Sequence, residues 1–349
     1  MKWKNDRKDD SRALLEDELG AFEGRNPQKP LQHFVQLVRE NSNELELCFR
    51  GNSESAPRIS IYKNNHIIFS VLASGKLEIS FNHARYYKDW EKAYYSLVND
   101  YGFSEKKYDG NGNIDIGKIT RSAVQKGPLS YEQISKIYKD ILIPIFDSYF
   151  EASENGKAYD YYKGEYSERV NKNTEKIKQQ ALYSKLNTIE DGYFFYDLEF
   201  AQRHENIACL KEDKNNNKPD MWGLKFDKNG KPEKIVVAEV KCTKGAMNGT
   251  SGIVTHLEKM RYYDIFPERR KEACQIMNQY AMLGLRNLNS GNYFNYEDFK
   301  SLEPEILLIF TGEAAVLWKN DKQYENDRKK THEIQPPKGI RASFFVVND

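Results

Sequence analysis

The decisive stretch of this chain reads PDMWGL at residues 219–224 and IVVAEVK at residues 235–241. Asn229-Gly230 lies between the two runs and is a strong signal for a tight hairpin turn. With that pair at the tip, Asp220 faces Glu239 across two antiparallel strands. Alternation along the second strand then places Glu239 and Lys241 on the same face. We therefore predict that two carboxylates and one ammonium converge at one end of a sheet.

Three such side chains suit the binding of a divalent cation. Hard cations such as Mg²⁺ prefer carboxylate and carbonyl oxygens, and two neighbouring acids repel each other unless a cation relieves the repulsion. Lys241 would orient a metal-bound water or stabilise the negative charge of a developing phosphorane. The alternative is a surface hairpin with an ordinary Glu–Lys ion pair, which contributes little energy. The apolar run before Glu239 favours a buried central strand. The presence of charged side chains at the end of such a strand requires an explanation.

Pro219-Asp220 followed by Ala238-Glu239-Val240-Lys241 resembles the motif of the PD-(D/E)xK nuclease superfamily, as in restriction endonucleases and DNA-repair nucleases. The predicted order of helix, three strands, helix and strand from Ser167 to Phe310 is similar to the core of that family. The resemblance covers roughly residues 165–315 and does not extend to residues 1–150. It implies hydrolysis of phosphodiester bonds in DNA, and from the family alone it suggests a role in bacterial or phage defence.

The resemblance also implies a role for each motif residue. Asp220 and Glu239 would hold the metal ion, with a contribution from the Val240 carbonyl, and Lys241 would assist the attacking water. The implied cofactor is Mg²⁺, or Mn²⁺ in its place.

The family often adds a further acid from the helix that precedes the strands, and Glu175 is the candidate in this chain. Glu175, Gln179, Leu182 and Leu186 share one face of a predicted helix, so Gln179 would also be aimed at the site. Glu175 could instead pair with a neighbouring lysine on a solvated face. Glu199, at the end of the predicted strand that follows, competes for the same role.

A small polar loop, Gly249–Gly252, opens the next predicted helix, and free backbone N–H groups in such a loop suit a phosphate. We predict nucleic-acid contacts from Ser251, His256 and Lys259, together with Gln179. Ser251 could instead be a helix N-cap, and His256 could be a packed helix residue.

The chain of 349 residues is long enough for two domains. We predict an N-terminal α+β domain at residues 1–150, with a targeting or regulatory role, and a nuclease-like domain at residues 151–349. The fold class is α/β, or α+β overall, with a restriction-endonuclease-like mixed central sheet flanked by helices in the second domain. Residues 151–165 read as a connector.

The predicted elements follow hydrophobic periodicity and turn signals. In the first half they are helices at 31–41, 90–101 and 131–148 and strands at 45–49, 59–62, 67–72 and 77–81. In the second half they are a helix at 167–186, strands at 192–200, 219–226, 234–241, 306–310 and 344–347, and a helical stretch at 251–285 broken at Pro267.

Composition, charge and cysteine content restrict the class of protein to which this chain can belong. Hydrophobic residues make up 39% and charged residues 30% of the chain, as in ordinary globular proteins. The formal net charge is +1, so a polyanion would need a local basic track. The four scattered cysteines argue against a structural zinc site or a disulfide framework. No apolar run is long enough to span a membrane and no signal peptide is evident, so we expect a soluble, cytoplasmic protein.

DNA is the predicted substrate, and a homodimer is expected by analogy, because cutting both strands of a duplex with one site per chain suggests a dimer. Three other functions remain open. The same site would serve an RNase or a single-strand nuclease, and a metal-dependent hydrolase could act on another phosphoester. A non-catalytic nucleic-acid-binding module on a nuclease fold is the third.

Overall fold

The computed structural model divides the chain into two compact units, Met1–Thr174 and Glu175–Asp349. The boundary predicted at residue 150 falls inside a helix, Ile143–Asn155, and the division lies at residues 174/175 instead. A boundary at residue 150 would divide this helix, whose successive turns share hydrogen bonds. The structure describes residues 30–50, 58–64, 66–104, 117–167, 178–179, 181–183, 192–198, 219–248, 252–253, 256–257, 267–289, 291, 293–320, 322–325 and 341–346.

The first unit contains a five-stranded antiparallel sheet in the order β1-β2-β3-β4-β5. The strands are β1 (Leu45–Arg50), β2 (Arg58–Lys63), β3 (His66–Leu72), β4 (Lys76–Ser80) and β5 (Lys118–Ser122). Ile61, Phe69, Ile79 and Ile119 face one another across four of these strands, and all four are fully buried. This row forms the centre of the core. The fifth strand was not predicted, because Ile119 is its one strongly apolar residue.

Helices complete the first unit. They are α1 (Pro30–Glu40), α2 (Trp90–Asn99), α3 (Ala123–Lys126), α4 (Tyr131–Lys136), a π-helical segment (Ile137–Leu142) and α5 (Ile143–Asn155), with a 3₁₀ turn at Ala84–Tyr86. Helix α1 buries Leu31, Phe34, Val35 and Val38, which lie along one face at helical spacing. The Phe34 ring packs edge-on against Phe69, with 5.3 Å between ring centroids.

The predicted connector at residues 151–165 is wrong in part. Helix α5 continues to Asn155, and a two-stranded hairpin follows, β6 (Ala158–Asp160) and β7 (Glu165–Ser167). The buried Asp160 carboxylate accepts hydrogen bonds from the backbone N–H groups of Tyr162 and Lys163, which stabilises the turn. Ser167, predicted as the start of a helix, therefore ends a strand. Residues 178–179 and 181–183 are helical, as predicted.

The second unit contains a mixed five-stranded sheet in the order β12-β11-β10-β9-β8. Strand β9 is antiparallel to both of its neighbours, whereas β10, β11 and β12 run parallel to one another. The strands are β8 (Tyr193–Leu198), β9 (Met221–Phe226), β10 (Pro232–Lys241), β11 (Glu303–Phe310) and β12 (Arg341–Val346). Strand β10 lies at the centre, which explains the burial of its apolar run.

The chain between β10 and β11 contains α6 (Pro267–Leu283), because parallel strands need a long crossover. Helix α7 (Gly312–Asn320), which was not predicted, follows β11. Short 3₁₀ turns occur at Lys244–Met247, Tyr296–Asp298 and Lys322–Tyr324. The predicted combination of a mixed central sheet with helices is confirmed at the level of an α/β, α+β class.

Candidate functional site

The hairpin of β9 and β10 forms as the sequence predicts. The Asp227 carboxylate accepts hydrogen bonds from the backbone N–H groups of Asn229 (2.8 Å) and Lys231 (2.9 Å) at the turn. Gly230 has a φ of +74°, a conformation that favours glycine. Ala238 faces Met221, so the predicted register is confirmed. The ladder shifts only beyond Lys234, towards Pro232, which cannot donate a ladder hydrogen bond.

Asp220 immediately precedes β9 and is half-buried. Its Oδ2 atom accepts a hydrogen bond of 2.7 Å from the backbone N–H of Val240. The carboxylate thus satisfies a donor of β10 at the point where the ladder to β9 ends. This contact places Asp220 beside the segment Glu239–Lys241, as the hairpin register predicts.

Glu239 and Lys241 lie on one face of β10. The Lys241 ammonium donates to Glu239 Oε1 at 3.0 Å. Both residues are buried, with 4% and 1% of their surface exposed. Their partners on the parallel strand β11 are Leu308 and Phe310, which are fully buried. The pair is therefore not the surface ion pair of the alternative interpretation, and the removal of both charges from water has a free-energy cost.

His256 is a third member of this cluster, because its Nδ1 atom contacts the same Glu239 oxygen, Oε1. The His256 backbone N–H donates to the Gly252 carbonyl at 3.0 Å, which is a helical hydrogen bond. Ile253 and Leu257 on the same turn are buried and anchor it. The sequence predicted a nucleic-acid contact for His256, whereas its contact in the structure is with a predicted metal ligand.

The electrostatics of Glu239 reflect these contacts. Burial on its own would raise the pKa of the Glu239 carboxyl, because a low-dielectric surrounding disfavours the charged form. The hydrogen bond from His256 and the positive charge of Lys241 act in the opposite direction. Together they outweigh burial, so the pKa of Glu239 lies below its ordinary value of 4.5.

The cluster lies at the carboxyl ends of the parallel strands β10 and β11. The backbone N–H of Thr311 donates to the Lys241 carbonyl at 3.0 Å, and that of Ala314 donates to the Cys242 carbonyl at 3.2 Å. The start of α7 is thereby joined to the chain that leaves the site. In open α/β sheets this edge is where ligands generally bind.

The other predicted site residues are placed as follows. Gln179 lies on a described helical turn and is buried, with 3% of its surface exposed. The remaining candidates, Glu175, Glu199, Ser251 and Lys259, lie outside the described residues. The structure thus brings together the acids, the lysine and the histidine, and leaves the third acid and most of the phosphate contacts as predictions.

The prediction passed over one buried acid, Asp197 on β8. It pairs with Trp222, which in turn pairs with Val237, so Asp197 belongs to the sheet face that also carries Glu239. Asp197 is almost completely buried, with 1% of its surface exposed. The sequence signal was a carboxylate within an aromatic strand, YFFYDL.

The donor chemistry of the cluster fits a hard divalent cation. Asp220 and Glu239 supply carboxylate oxygens from adjacent strands, and such oxygens are what Mg²⁺ and Mn²⁺ prefer. Within the described parts of the chain, no group of three or more His, Cys, Asp and Glu side chains has the arrangement of a metal site. Two acids are thus in place, and a further ligand would come from water or from the acids predicted outside those parts.

Comparison with known proteins gives no relative. No protein-family model, no curated protein and no solved structure matches the chain. None of the described helices is both long and apolar enough to cross a membrane. The function is therefore inferred from the residues of the site.

Proposed function

We propose that this protein is a metal-dependent nuclease that hydrolyses phosphodiester bonds in DNA, with Asp220, Glu239 and Lys241 as its catalytic residues. The observation that supports this most is the buried contact between Lys241 and Glu239 at the end of the central strand, with Asp220 held to that strand by Val240. An ammonium and two acids in this arrangement match the motif that suggested the family.

Asp220 and Glu239 would hold Mg²⁺ or Mn²⁺ with help from the Val240 carbonyl. When bound, such an ion polarises a phosphoryl oxygen and makes water a better nucleophile at neutral pH. Lys241 supplies a positive charge that its contact with Glu239 fixes in position. A charge held in place before the reaction stabilises the developing negative charge of the transition state without reorganisation.

A purely structural role would leave the position of these charges unexplained. A buried ion pair seldom contributes more stability than well-packed apolar residues of similar volume. Here the pair lies at the end of a strand in which the preceding run, residues 235–238, and Val240 are apolar and buried. Buried charged groups at the ligand-binding edge of a sheet are typical of functional sites.

The order of strands and the crossover between β10 and β11 support a restriction-endonuclease-like core for the second unit. Cleavage of both strands of a duplex with one site per chain suggests two copies, so we propose by analogy a homodimer as the active form on duplex DNA. RNA is the alternative substrate, because the same metal chemistry acts on either phosphodiester.

The test is cleavage of plasmid, linear duplex, single-stranded DNA and RNA by the full chain, with Mg²⁺, with Mn²⁺ and with EDTA. We expect metal-dependent cleavage of DNA by the wild type and none by Asp220→Ala. The matched control is Lys234→Met, which alters a half-buried lysine near the other end of the same strand and should still cut.

Each other result would change the proposal. Cleavage of RNA alone would replace DNA as the substrate. Full activity in EDTA or in Asp220→Ala would contradict the metal site. Retention of DNA in a gel without cleavage under any condition would favour a non-catalytic binding module.

A further inference from the structure

The contact of His256 with Glu239 gives the histidine a partner inside the cluster. The ring reaches Glu239 Oε1 through Nδ1. In a neutral imidazole one nitrogen donates and the other accepts. If Nδ1 donates to a carboxylate, Nε2 of the neutral ring is an acceptor and cannot donate to a phosphate oxygen.

We propose that His256 is a positioning residue, which fixes the Glu239 carboxylate through a hydrogen bond from Nδ1 and so prepares it to bind the metal ion. This inference rests on the proposed nuclease function, because it takes Glu239 to be a metal ligand. The contact between His256 and Glu239 is observed independently of that function. A partner of this kind orients a ligand and tunes its affinity without touching the substrate.

The distribution of donors on Glu239 supports this role. Lys241 Nζ and His256 Nδ1 both reach Oε1. Two donors on one oxygen restrict the carboxylate to a single orientation. Lys241 alone would leave the carboxylate free to rotate about its last bond, because one contact does not define its plane.

The placement of His256 also fits a positioning role. The histidine lies on a helical turn that the buried residues Ile253 and Leu257 hold in place. About a fifth of its own side chain is exposed (22%), so the ring is not fully enclosed. A substitution at this position should therefore change the contact with Glu239 without unfolding the turn.

Two amides distinguish the nitrogen atoms of the ring. The Asn side-chain nitrogen is bonded to Cγ, as Nδ1 is in histidine, so His256→Asn retains a donor near the Nδ1 position. The Gln nitrogen lies one bond further out, near the Nε2 position. Positioning through Nδ1 therefore predicts that His256→Asn retains function and that His256→Gln loses it, whereas a phosphate contact through Nε2 predicts the reverse.

The first measurement is Mn²⁺ binding to the metal-free full chain by isothermal titration calorimetry, without nucleic acid. We expect His256→Gln to bind Mn²⁺ about 10- to 100-fold more weakly than the wild type, the usual effect of removing an outer hydrogen-bond partner of a metal ligand. His256→Asn should retain most of the affinity. Equal affinities in both variants and the wild type would overturn the inference.

The second measurement is thermal unfolding in EDTA, which does not depend on metal binding. His256→Gln should lower Tm in the wild-type background and have a smaller effect in the Glu239→Gln background, because the partner has already lost its charge. Additive shifts would overturn the positioning contact even if the enzyme cuts DNA. Coupled shifts in a wild type that neither binds Mn²⁺ nor cuts would support the contact and contradict the proposed nuclease function instead.

Discussion

Two carboxylate–ammonium pairs in the sheet of the second unit have the same N···O distance and different surroundings. Lys241 Nζ lies 3.0 Å from Glu239 within β10, and Lys234 Nζ lies 3.0 Å from Glu305 across β10 and β11. Alternation places the two lysines on opposite faces of β10, near opposite ends. The sheet thus contains an internal comparison for the proposed site.

The surroundings separate a structural pair from a candidate functional one. The Lys234 side chain is 17% exposed, so its ammonium keeps some contact with water, and its partner on β11 helps to hold the parallel strands in register. The Lys241 side chain is 2% exposed, lies beside its partner on the same strand and shares it with His256. An ion pair within one strand does not fix the register between strands. The burial of its two charges therefore requires another explanation.

The largest expected contrast is in catalysis. Lys241→Met should lower kcat on DNA about 100- to 1,000-fold, the usual loss when a fixed group that stabilises transition-state charge is removed. Lys234→Met should leave kcat close to that of the wild type. Single-turnover cleavage with Mn²⁺ would measure both, and similar losses in the two variants would remove the distinction between the pairs.

The next contrast is in stability. Lys234→Met leaves the Glu305 carboxylate buried without its ammonium and should lower the free energy of unfolding by about 3 kcal/mol. The double variant Lys234→Met/Glu305→Leu should recover most of this loss, because apolar residues can replace a buried pair. Urea denaturation of the three proteins tests this. A double variant that is less stable than the single one would show that the pair does more than hold the strands.

Asp220 sharpens the comparison, because it combines a structural contact with a proposed catalytic one. Asp220→Asn retains an oxygen for the Val240 N–H, whereas Asp220→Ala leaves that donor without its acceptor. We expect Ala to lower the free energy of unfolding by about 1 to 3 kcal/mol more than Asn, while both abolish metal-dependent cleavage. Equal stabilities would show that the Val240 contact contributes nothing to the fold.

The smallest expected effect is a pH dependence. Because the folded pKa of Glu239 lies below its ordinary value of 4.5, the wild type gains stability relative to Glu239→Gln above that pH. This advantage should decrease as the pH falls through the lower, folded pKa. Unfolding curves in EDTA between about pH 3 and pH 7 would show it. A difference that is constant over the whole range would contradict the lowered pKa.

The part of the site that could be predicted is local in sequence. Asn229-Gly230 and the alternation of β10 set the register, and the register alone brings Asp220 beside Glu239. The bulge near Pro232 shifts the pairing at the turn and leaves the site end of the hairpin unchanged. The third acid stays a prediction, because Glu175 and Glu199 lie outside the described residues.

The parts that could not be predicted depend on distant segments. The contact of His256 with Glu239 requires the direction in which a helical turn leaves the sheet, and that direction depends on where Ile253 and Leu257 pack. The pair of Lys234 and Glu305 requires the parallel register of β10 and β11. Neither relation is encoded in the periodicity of one segment.

The parallel pairing of β10 with β11 also determines when the site can form during synthesis. The hairpin already contains Asp220, Glu239 and Lys241, but the apolar partners that enclose the last two belong to β11, which leaves the ribosome much later. Until then the charges stay in water, which weakens the electrostatic forces between them. A nascent chain that has reached α6 would carry the complete motif and still lack the enclosed cluster, so the proposed activity would be acquired only near the end of translation.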